Sequence, residues 1–134
     1  MASILIVDDD GMFRELLRIQ LSAVGYTVTE AEDASDAIHA LLQQDFDLVI
    51  TDVAMPYMDG VELTRAIAGD PKTRHIPVMV LSGLDEDAIL DRARLVGACE
   101  VLSKPLQAEE ILRTVEKIIQ TRKQFKQKLS PSAV

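Results

Sequence analysis

The chain has 134 residues, of which 48% are apolar, and its formal net charge at neutral pH is −8. This length and apolar content suit one domain with a substantial core. That core must be aliphatic, because aromatic residues make up only 4% of the chain and tryptophan is missing. The acidic balance disfavours non-specific binding to nucleic acid or to an anionic membrane.

The sequence shows no signal for export or for membrane insertion. The N-terminus lacks a charged region followed by a long apolar run, and no apolar stretch approaches the roughly 18 residues of a membrane span. Cys99 is the only cysteine, which excludes an internal disulfide and fits a reducing compartment. We therefore expect a cytoplasmic protein, with the Cys99 side chain buried near the start of a strand.

Short apolar runs with strand character alternate with stretches of helical spacing along the chain. The predicted strands cover about residues 3–7, 27–29, 48–51, 77–81 and 101–103. The predicted helices cover about residues 13–24, 33–42, 60–69, 85–96 and 107 to beyond 123. This alternation indicates βαβ units, and hence a parallel sheet with right-handed crossovers. The third and fourth strands are continuously apolar, as expected for strands that are covered on both faces.

Four of the predicted strands end at a residue that can bind a phosphate or its metal ion. Asp8 and Asp9 follow the first strand, Asp52 the third, Ser82 the fourth and Lys104 the fifth. Taken singly, each has an ordinary alternative role, such as a helix N-cap or a solvated lysine. The carboxyl ends of parallel strands, however, meet along one edge of the sheet, where ligands bind. We therefore expect these side chains to form one site.

The chemistry of this set points to a metal ion and a phosphoryl group. Three carboxylates that lie close together repel one another, and a divalent cation removes that penalty. Oxygen-only ligands favour Mg²⁺ or Mn²⁺ over zinc. Asp52 precedes a loop with strong turn residues and is a candidate nucleophile, which would form an aspartyl phosphate. Lys104 would add a positive charge and Ser82 a hydrogen bond to the phosphoryl oxygens.

Five short motifs stand at these strand ends and in the loop after the third strand. They are Val7-Asp8-Asp9, Thr51-Asp52, Met55-Pro56 with Asp59-Gly60, Leu81-Ser82-Gly83 and Ser103-Lys104-Pro105. As a set they resemble the CheY-like response-regulator receiver domain of two-component signalling, over about residues 3–121. The resemblance implies an α/β, flavodoxin-like (βα)5 sandwich of three layers. In that fold a five-stranded parallel sheet in the order 2-1-3-4-5 has helices on both faces.

The resemblance also implies a reaction and a metal site. Asp52 would be the phosphoacceptor, and Mg²⁺ would be held by Asp8, Asp9, Asp52 and the backbone carbonyl of Ala54. A histidine kinase or a phosphotransfer protein would donate the phosphoryl group, and the chain would catalyse its own phosphorylation and later dephosphorylation. The output would be a change of conformation, so the protein would be a signalling switch and not a conventional enzyme.

Ser82 and Lys104 would sense and neutralise the phosphoryl group, and a cis peptide before Pro105 would aim Lys104 inward. About two added negative charges would draw both side chains towards the acceptor. The face formed by the fourth helix, the fifth strand and the fifth helix would then change its preference for an unknown downstream protein. We expect a monomer or a homodimer that depends on phosphorylation, without direct binding to nucleic acid or membrane.

Four positions depart from the pattern of the family or refine it. Val101 stands where many members have Tyr or Phe, and it is too small to swing as a ring does, so backbone movement would transmit the switch. Ala54 and Leu84 flank the path of the attacking water but cannot orient water by hydrogen bonding, which predicts slow self-dephosphorylation. Gly83 leaves space beside the acceptor for small phosphodonors.

The last part of the chain allows two interpretations. Residues 1–121 are predicted to form the receiver domain, and residues 122–134 a helical extension with a disordered tail and no output domain. The extension is either the frayed end of a docked helix or a projecting helix that binds a partner or a second copy. His39 and His75 are expected to be ordinary surface residues. The extension also carries a basic cluster, expected to be solvated or to face a partner: Arg122, Lys123, Lys126 and Lys128.

Two alternatives to a complete receiver remain open at this point. A phosphatase of the haloacid dehalogenase type would use Asp8 as nucleophile and Asp10 as the second acid. That interpretation leaves Asp52 unexplained, and the chain offers no acid pair on a further strand after Lys104. The other alternative is an N-terminal receiver fragment of a longer regulator, which the sequence alone does not distinguish from a free-standing receiver.

Overall fold

The computed structural model describes residues 2–83, 87–105 and 107–129, with side chains up to residue 125. Five strands and five helices alternate along this part of the chain. The strands are β1 (Ser3–Val7), β2 (Thr27–Ala31), β3 (Leu48–Asp52), β4 (Val78–Ser82) and β5 (Glu100–Ser103). The helices are α1 (Gly11–Ala23), α2 (Ala34–Gln43), α3 (Gly60–Gly69), α4 (Asp87–Leu95) and α5 (Ala108–Leu129). The predicted start of the fourth helix, at Asp85 or Glu86, lies outside the described residues.

All neighbouring strands are parallel, and their order in the sheet is β2-β1-β3-β4-β5. This order confirms the predicted flavodoxin-like fold. In the register of the sheet Val7 lies opposite Thr51, Asp52 opposite Leu81, and Ser82 opposite Ser103. The last residues of β1, β3, β4 and β5 therefore lie side by side at one edge.

The core has two halves, one on each face of the sheet. Ile4 and Ile6 pack with buried residues of α1 and α5, whereas Leu5 and Val7 pack with buried residues of α2, α3 and α4. This alternation follows from the two-residue period of a strand. Because helices cover both faces, every residue of β3 and β4 is buried. Among the described residues, no helix is both long enough and apolar enough to cross a membrane.

Acidic residues fix where three of the helices begin. The side chain of Asp10 caps α1, and that of Asp33 caps α2, the latter as predicted. Asp59 and Glu62 form a reciprocal capping box at the start of α3. Each carboxylate accepts hydrogen bonds from backbone N–H groups that have no partner within the helix. The N-terminal ends of α1 and α3 are thereby fixed close to the site edge of the sheet.

Two expectations from the sequence are wrong. Cys99 is exposed and not buried: its backbone N–H donates to the carbonyl of Val78, but its side chain reaches the surface beside the edge strand β5. Arg122 is not simply solvated, because its Nη1 donates to the carbonyl oxygens of Phe46 and Asp47, at 3.4 and 2.9 Å. These contacts attach α5 to the body of the domain, while Phe125, one turn later, is 61% exposed.

Candidate functional site

Three carboxylates meet at the edge of the sheet. Asp8 and Asp9 directly follow β1, and Asp52 is the last residue of β3. One oxygen of each carboxylate lies within 4.8 Å of the others. Asp8 and Asp52 are buried, with 2% and 8% of their surfaces exposed, whereas Asp9 is exposed. The structure thus brings together the acids that the sequence placed in one site.

Backbone hydrogen bonds hold Asp8 in place. Its Oδ1 accepts from the backbone N–H of Asp10 at 2.9 Å, and its backbone carbonyl accepts from Nη1 of Arg14 at 2.6 Å. The Nε of Arg14 donates to Oε1 of Glu30 on β2 at 3.2 Å, and Arg18 forms an ion pair with the other oxygen of that carboxylate, also at 3.2 Å. The turn after β1 is therefore tied both to α1 and to β2.

The backbone of Asp52 is fixed by the start of α3. The N–H of Gly60 donates to the carbonyl of Val53 at 2.9 Å. A Cβ at residue 60 would clash with the backbone carbonyl of Asp52 and would lie 3.0 Å from the Cα of Val53. On the other side, the hydroxyl of Thr51 donates to the Asp52 carbonyl at 3.0 Å. Glycine in the Asp59-Gly60 motif therefore allows α3 to pack directly against the strand end that carries the acid.

Lys104 reaches both buried acids from the far side of the site. Its Nζ lies 3.3 Å from Oδ2 of Asp8 and 3.5 Å from Oδ1 of Asp52. The same atom lies 4.3 Å from the centre of the Phe13 ring. The Lys104–Pro105 peptide is cis, as the resemblance implies, and the backbone N–H of Lys104 donates to the carbonyl of Ser82 at 2.7 Å.

The charges at the site do not balance in the absence of a metal ion. Burial raises the pKa of Asp52, and the negative charge of Asp8 raises it further, while the Lys104 ammonium acts in the opposite direction without cancelling the rise. A set of oxygen ligands with excess negative charge, partly buried and open at Asp9, fits a hard divalent cation such as Mg²⁺. The residues present therefore suit the metal ion that the sequence suggested.

The remaining predicted positions surround this cluster. Ser82 is fully buried at the end of β4. Ala54 is exposed just after β3, and Val101 is buried on β5 with 6% of its surface exposed. Gly83 faces open space, because a Cβ there would meet no atom within 4 Å. Leu84 lies outside the described residues.

The sequence analysis missed three contributions from the start of α1. Phe13 was included only as the start of the first predicted helix, and Arg14 was not considered. Both contact the site. Their position within one helical turn of Asp9 was the available signal. Asp10 accepts hydrogen bonds from the N–H groups of the first turn, at 3.1 and 3.3 Å, and therefore acts as a helix cap. This role removes the second acid that the phosphatase interpretation required.

The fold and the site together define a doubly wound α/β domain with three carboxylates and a lysine clustered at the carboxyl edge of its sheet. Residues 4–116 match the family model of the response regulator receiver domain. The chemotaxis protein CheY of Pseudomonas aeruginosa is 36% identical over 119 residues, which cover 87% of this chain and 95% of that protein. The chain therefore belongs to the receiver-domain family of two-component signalling, whose members are signalling switches and not conventional enzymes.

Solved structures of receiver domains resemble the chain throughout the fold. The signal receiver domain of a histidine kinase from Syntrophus aciditrophicus superposes with a TM-score of 0.85 at 31% identity, covering 90% of this chain and 92% of that one. The response regulator TrrA from Thermotoga maritima, solved in complex with Mg²⁺ and BeF, gives a TM-score of 0.78 at 30% identity, with coverage of 88% and 99%. The receiver-domain fold is thus shared with relatives at about 30% identity.

Proposed function

We propose that this chain is a phosphorylation-activated switch in a two-component phosphorelay. A histidine kinase or a phosphotransfer protein would donate a phosphoryl group to Asp52, with Mg²⁺ held by Asp8, Asp9, Asp52 and the backbone carbonyl of Ala54. The observation that carries this proposal is the convergence of three carboxylates and the Lys104 ammonium at one sheet edge. A relative at 30% identity, solved with Mg²⁺ and BeF, supports the choice of metal ion.

The chemistry follows from the positions of these groups. A carboxylate oxygen of Asp52 attacks phosphorus while the bond from phosphorus to the donor histidine nitrogen breaks, and the electron pair leaves with that nitrogen. When bound, Mg²⁺ offsets the negative charge of the carboxylates and of the phosphoryl oxygens. The Nζ of Lys104, already 3.5 Å from Asp52, can neutralise a phosphoryl oxygen after a small movement. Ser82, at the adjacent strand end, would donate a hydrogen bond to another.

The switch would start on the side of the site that Ser82 and Lys104 occupy. A phosphoryl group adds about two negative charges and would draw both residues towards Asp52. Because Val101 is small and buried, this movement would pass through the backbone of β4 and β5 to the face formed by α4, β5 and α5. That face would change its affinity for a downstream protein or a second copy of the chain. Residues 1–121 would form the switch, and residues 122–134 would extend its last helix.

Intact-protein mass spectrometry tests the proposal directly. After incubation with Mg²⁺ and acetyl phosphate, the wild type should gain one phosphate, and Asp52→Asn should gain none. Asp10→Asn is the matched control, because this neighbouring acid caps α1 and should not abolish the adduct. The adduct should be absent in EDTA, and its decay should be slow if Ala54 and Leu84 leave the attacking water without orientation.

Two results would count against this proposal. An adduct that survives in Asp52→Asn would overturn the assignment of the acceptor. No adduct on the wild type, either from acetyl phosphate or from a phosphorylated histidine phosphotransfer protein, would show that the chain is not a phosphorylated switch.

A further inference from the structure

We propose that Phe13 is a positioning residue for Lys104, whose ammonium it holds at the mouth of the site before the phosphoryl group arrives. The inference rests on the proposed function, since it concerns how Lys104 is presented to Asp52. The ring would act through Lys104 and would not touch the phosphoryl group itself.

Among the described residues, two kinds of group contact the Lys104 ammonium: carboxylate oxygens and an aromatic ring. The oxygens of Asp8 and Asp52 lie 3.3 and 3.5 Å from Nζ, and the centre of the Phe13 ring lies 4.3 Å from it. That distance is well inside the roughly 6 Å range of a cation–π interaction. The ring accepts no conventional hydrogen bond, so it does not compete with the carboxylates for the N–H donors.

The rest of the structure does little else to fix the end of this side chain. Lys104 follows β5, a strand of four residues at the edge of the sheet, and its side chain is 25% exposed. Lysine also carries a flexible stem of four carbons. Within the part of the chain that the structure describes, the contacts of the ammonium besides the ring are with the two carboxylates, which a metal ion also requires.

Phe13 itself is fixed from the opposite side of the site. Its backbone N–H donates to Oδ1 of Asp10 at 3.3 Å, and the next residue, Arg14, donates to the carbonyl of Asp8 at 2.6 Å. The ring therefore stands in the first turn of the helix that follows Asp8 and Asp9. The position of the cation relative to the acids is set by α1, although β5 carries the lysine.

This arrangement predicts two effects of opposite sign. Phe13→Leu keeps an apolar side chain but removes the ring, so Lys104 should spend less time beside Asp8 and Asp52. Phosphorylation by acetyl phosphate should slow by about 3- to 10-fold. Mg²⁺, which competes with the ammonium for the same oxygens, should bind a few-fold more tightly in calorimetry. Phe13→Tyr keeps the ring face and should resemble the wild type in both measurements.

A double-mutant cycle separates positioning from general packing. In the Lys104→Met background, Phe13→Leu should leave the Mg²⁺ affinity unchanged, because the group on which the ring acts is gone. If Phe13→Leu changes the affinity equally in both backgrounds, the ring acts through packing and the proposal is wrong. Phe125→Leu, an exposed phenylalanine on α5, is the matched control and should change neither measurement.

The cycle also distinguishes failure of this inference from failure of the proposed function. Coupling between Phe13 and Lys104 in Mg²⁺ binding, together with a wild type that accepts no phosphate, would keep the inference and reject the switch. A phosphorylated wild type without such coupling would keep the switch and reject the inference. Thermal melting of each variant identifies any that fail to fold, and a folded Phe13→Tyr that differs from the wild type in both measurements would contradict the proposal.

Discussion

The two sides of the site are built by different means. On the acid side, Asp8 and Asp52 are almost fully buried and their backbones are fixed, the first by Arg14 and the second by the close packing of Gly60. On the cation side, Lys104 reaches in from an edge strand with a side chain that is 25% exposed. Its contacts with Asp8 and Asp52 are made by the ammonium at the end of a flexible stem.

Because of this difference, the two sides suit different functions. A metal ion and a nucleophile require oxygens whose positions do not change, and backbone contacts provide this. A switch also requires a group that can move when charge is added, and a long cationic side chain on an edge strand provides that. Substitutions that disturb the backbone should therefore cost more on the acid side than on the cation side.

The largest difference in stability is expected between alanine substitutions of two glycines, Gly60 on the acid side and Gly83 on the cation side. In Gly60→Ala the new Cβ clashes with the backbone of Asp52, so α3 or the end of β3 must shift. We expect this to lower the free energy of unfolding by about 3 kcal/mol and to impair phosphorylation of Asp52. In Gly83→Ala the Cβ enters open space, and urea unfolding should show a change within about 0.5 kcal/mol.

A third glycine controls for the effect of alanine in a helix. Gly69 ends the same helix that Gly60 begins, and a Cβ there meets nothing within 4 Å. Gly69→Ala should be neutral or should stabilise the protein by up to about 1 kcal/mol. Equal stability of the Gly60 and Gly69 variants would contradict the idea that close packing at Asp52 fixes the acid side.

A smaller difference in stability is expected between alanine substitutions of the two arginines that form ion pairs with Glu30. Arg14 and Arg18 both form an ion pair with this carboxylate, but only Arg14 also donates to the carbonyl of Asp8. Arg14→Ala should lower the free energy of unfolding by about 1–2 kcal/mol and should weaken Mg²⁺ binding, because the turn after β1 is released. Arg18→Ala removes a more exposed pair and should cost about 0.5 kcal/mol or less.

Chemical denaturation and Mg²⁺ calorimetry on the two arginine variants give the comparison. If both variants lose the same stability, the contribution lies in the ion pair with Glu30. If Mg²⁺ affinity is unchanged in Arg14→Ala, the carbonyl contact does not order the metal site.

The sequence predicted what depends on periodicity and topology. Apolar runs that end in Asp8, Asp52 and Lys104 indicated the sheet and its functional edge, because parallel strands must deliver their last residues to the same side. The sequence did not predict that Phe13, which packs against the core, also contacts the Lys104 ammonium. The spacing of residue 13 fits a core position, and only the three-dimensional path of β5 brings the ammonium over its ring.

The wrong expectations have the same origin. Cys99 was expected to be buried from its residue type and its place before a strand, but that strand lies at the edge of the sheet. Arg122 was assigned to a solvated cluster from charge alone, yet the carbonyls of Phe46 and Asp47 lie within its reach. In both cases the surroundings of the side chain depend on tertiary packing, which no local sequence pattern indicates.

Replacing Asp52 measures how far the charge of Lys104 offsets the repulsion between the buried acids. Burial and the charge of Asp8 raise the pKa of Asp52 in the folded protein above its ordinary value. Ionisation of Asp52 therefore lowers the free energy of unfolding. This cost is absent below the ordinary carboxyl pKa, where folded and unfolded chains both hold the proton, and it grows as the pH rises through the folded pKa. Asp52→Asn cannot ionise, so it should escape the cost.

In EDTA, Asp52→Asn should be more stable than the wild type at neutral pH by on the order of 1 kcal/mol. Thermal or urea unfolding should show this advantage shrinking in acid, and added Mg²⁺ should favour the wild type, because its full set of carboxylates binds the ion. If Asp52→Asn is no more stable at neutral pH, the Lys104 ammonium already neutralises the acids completely. Lys104 would then be a structural partner of the acids in the unphosphorylated protein, and the release of its ammonium from them would have to drive the switch.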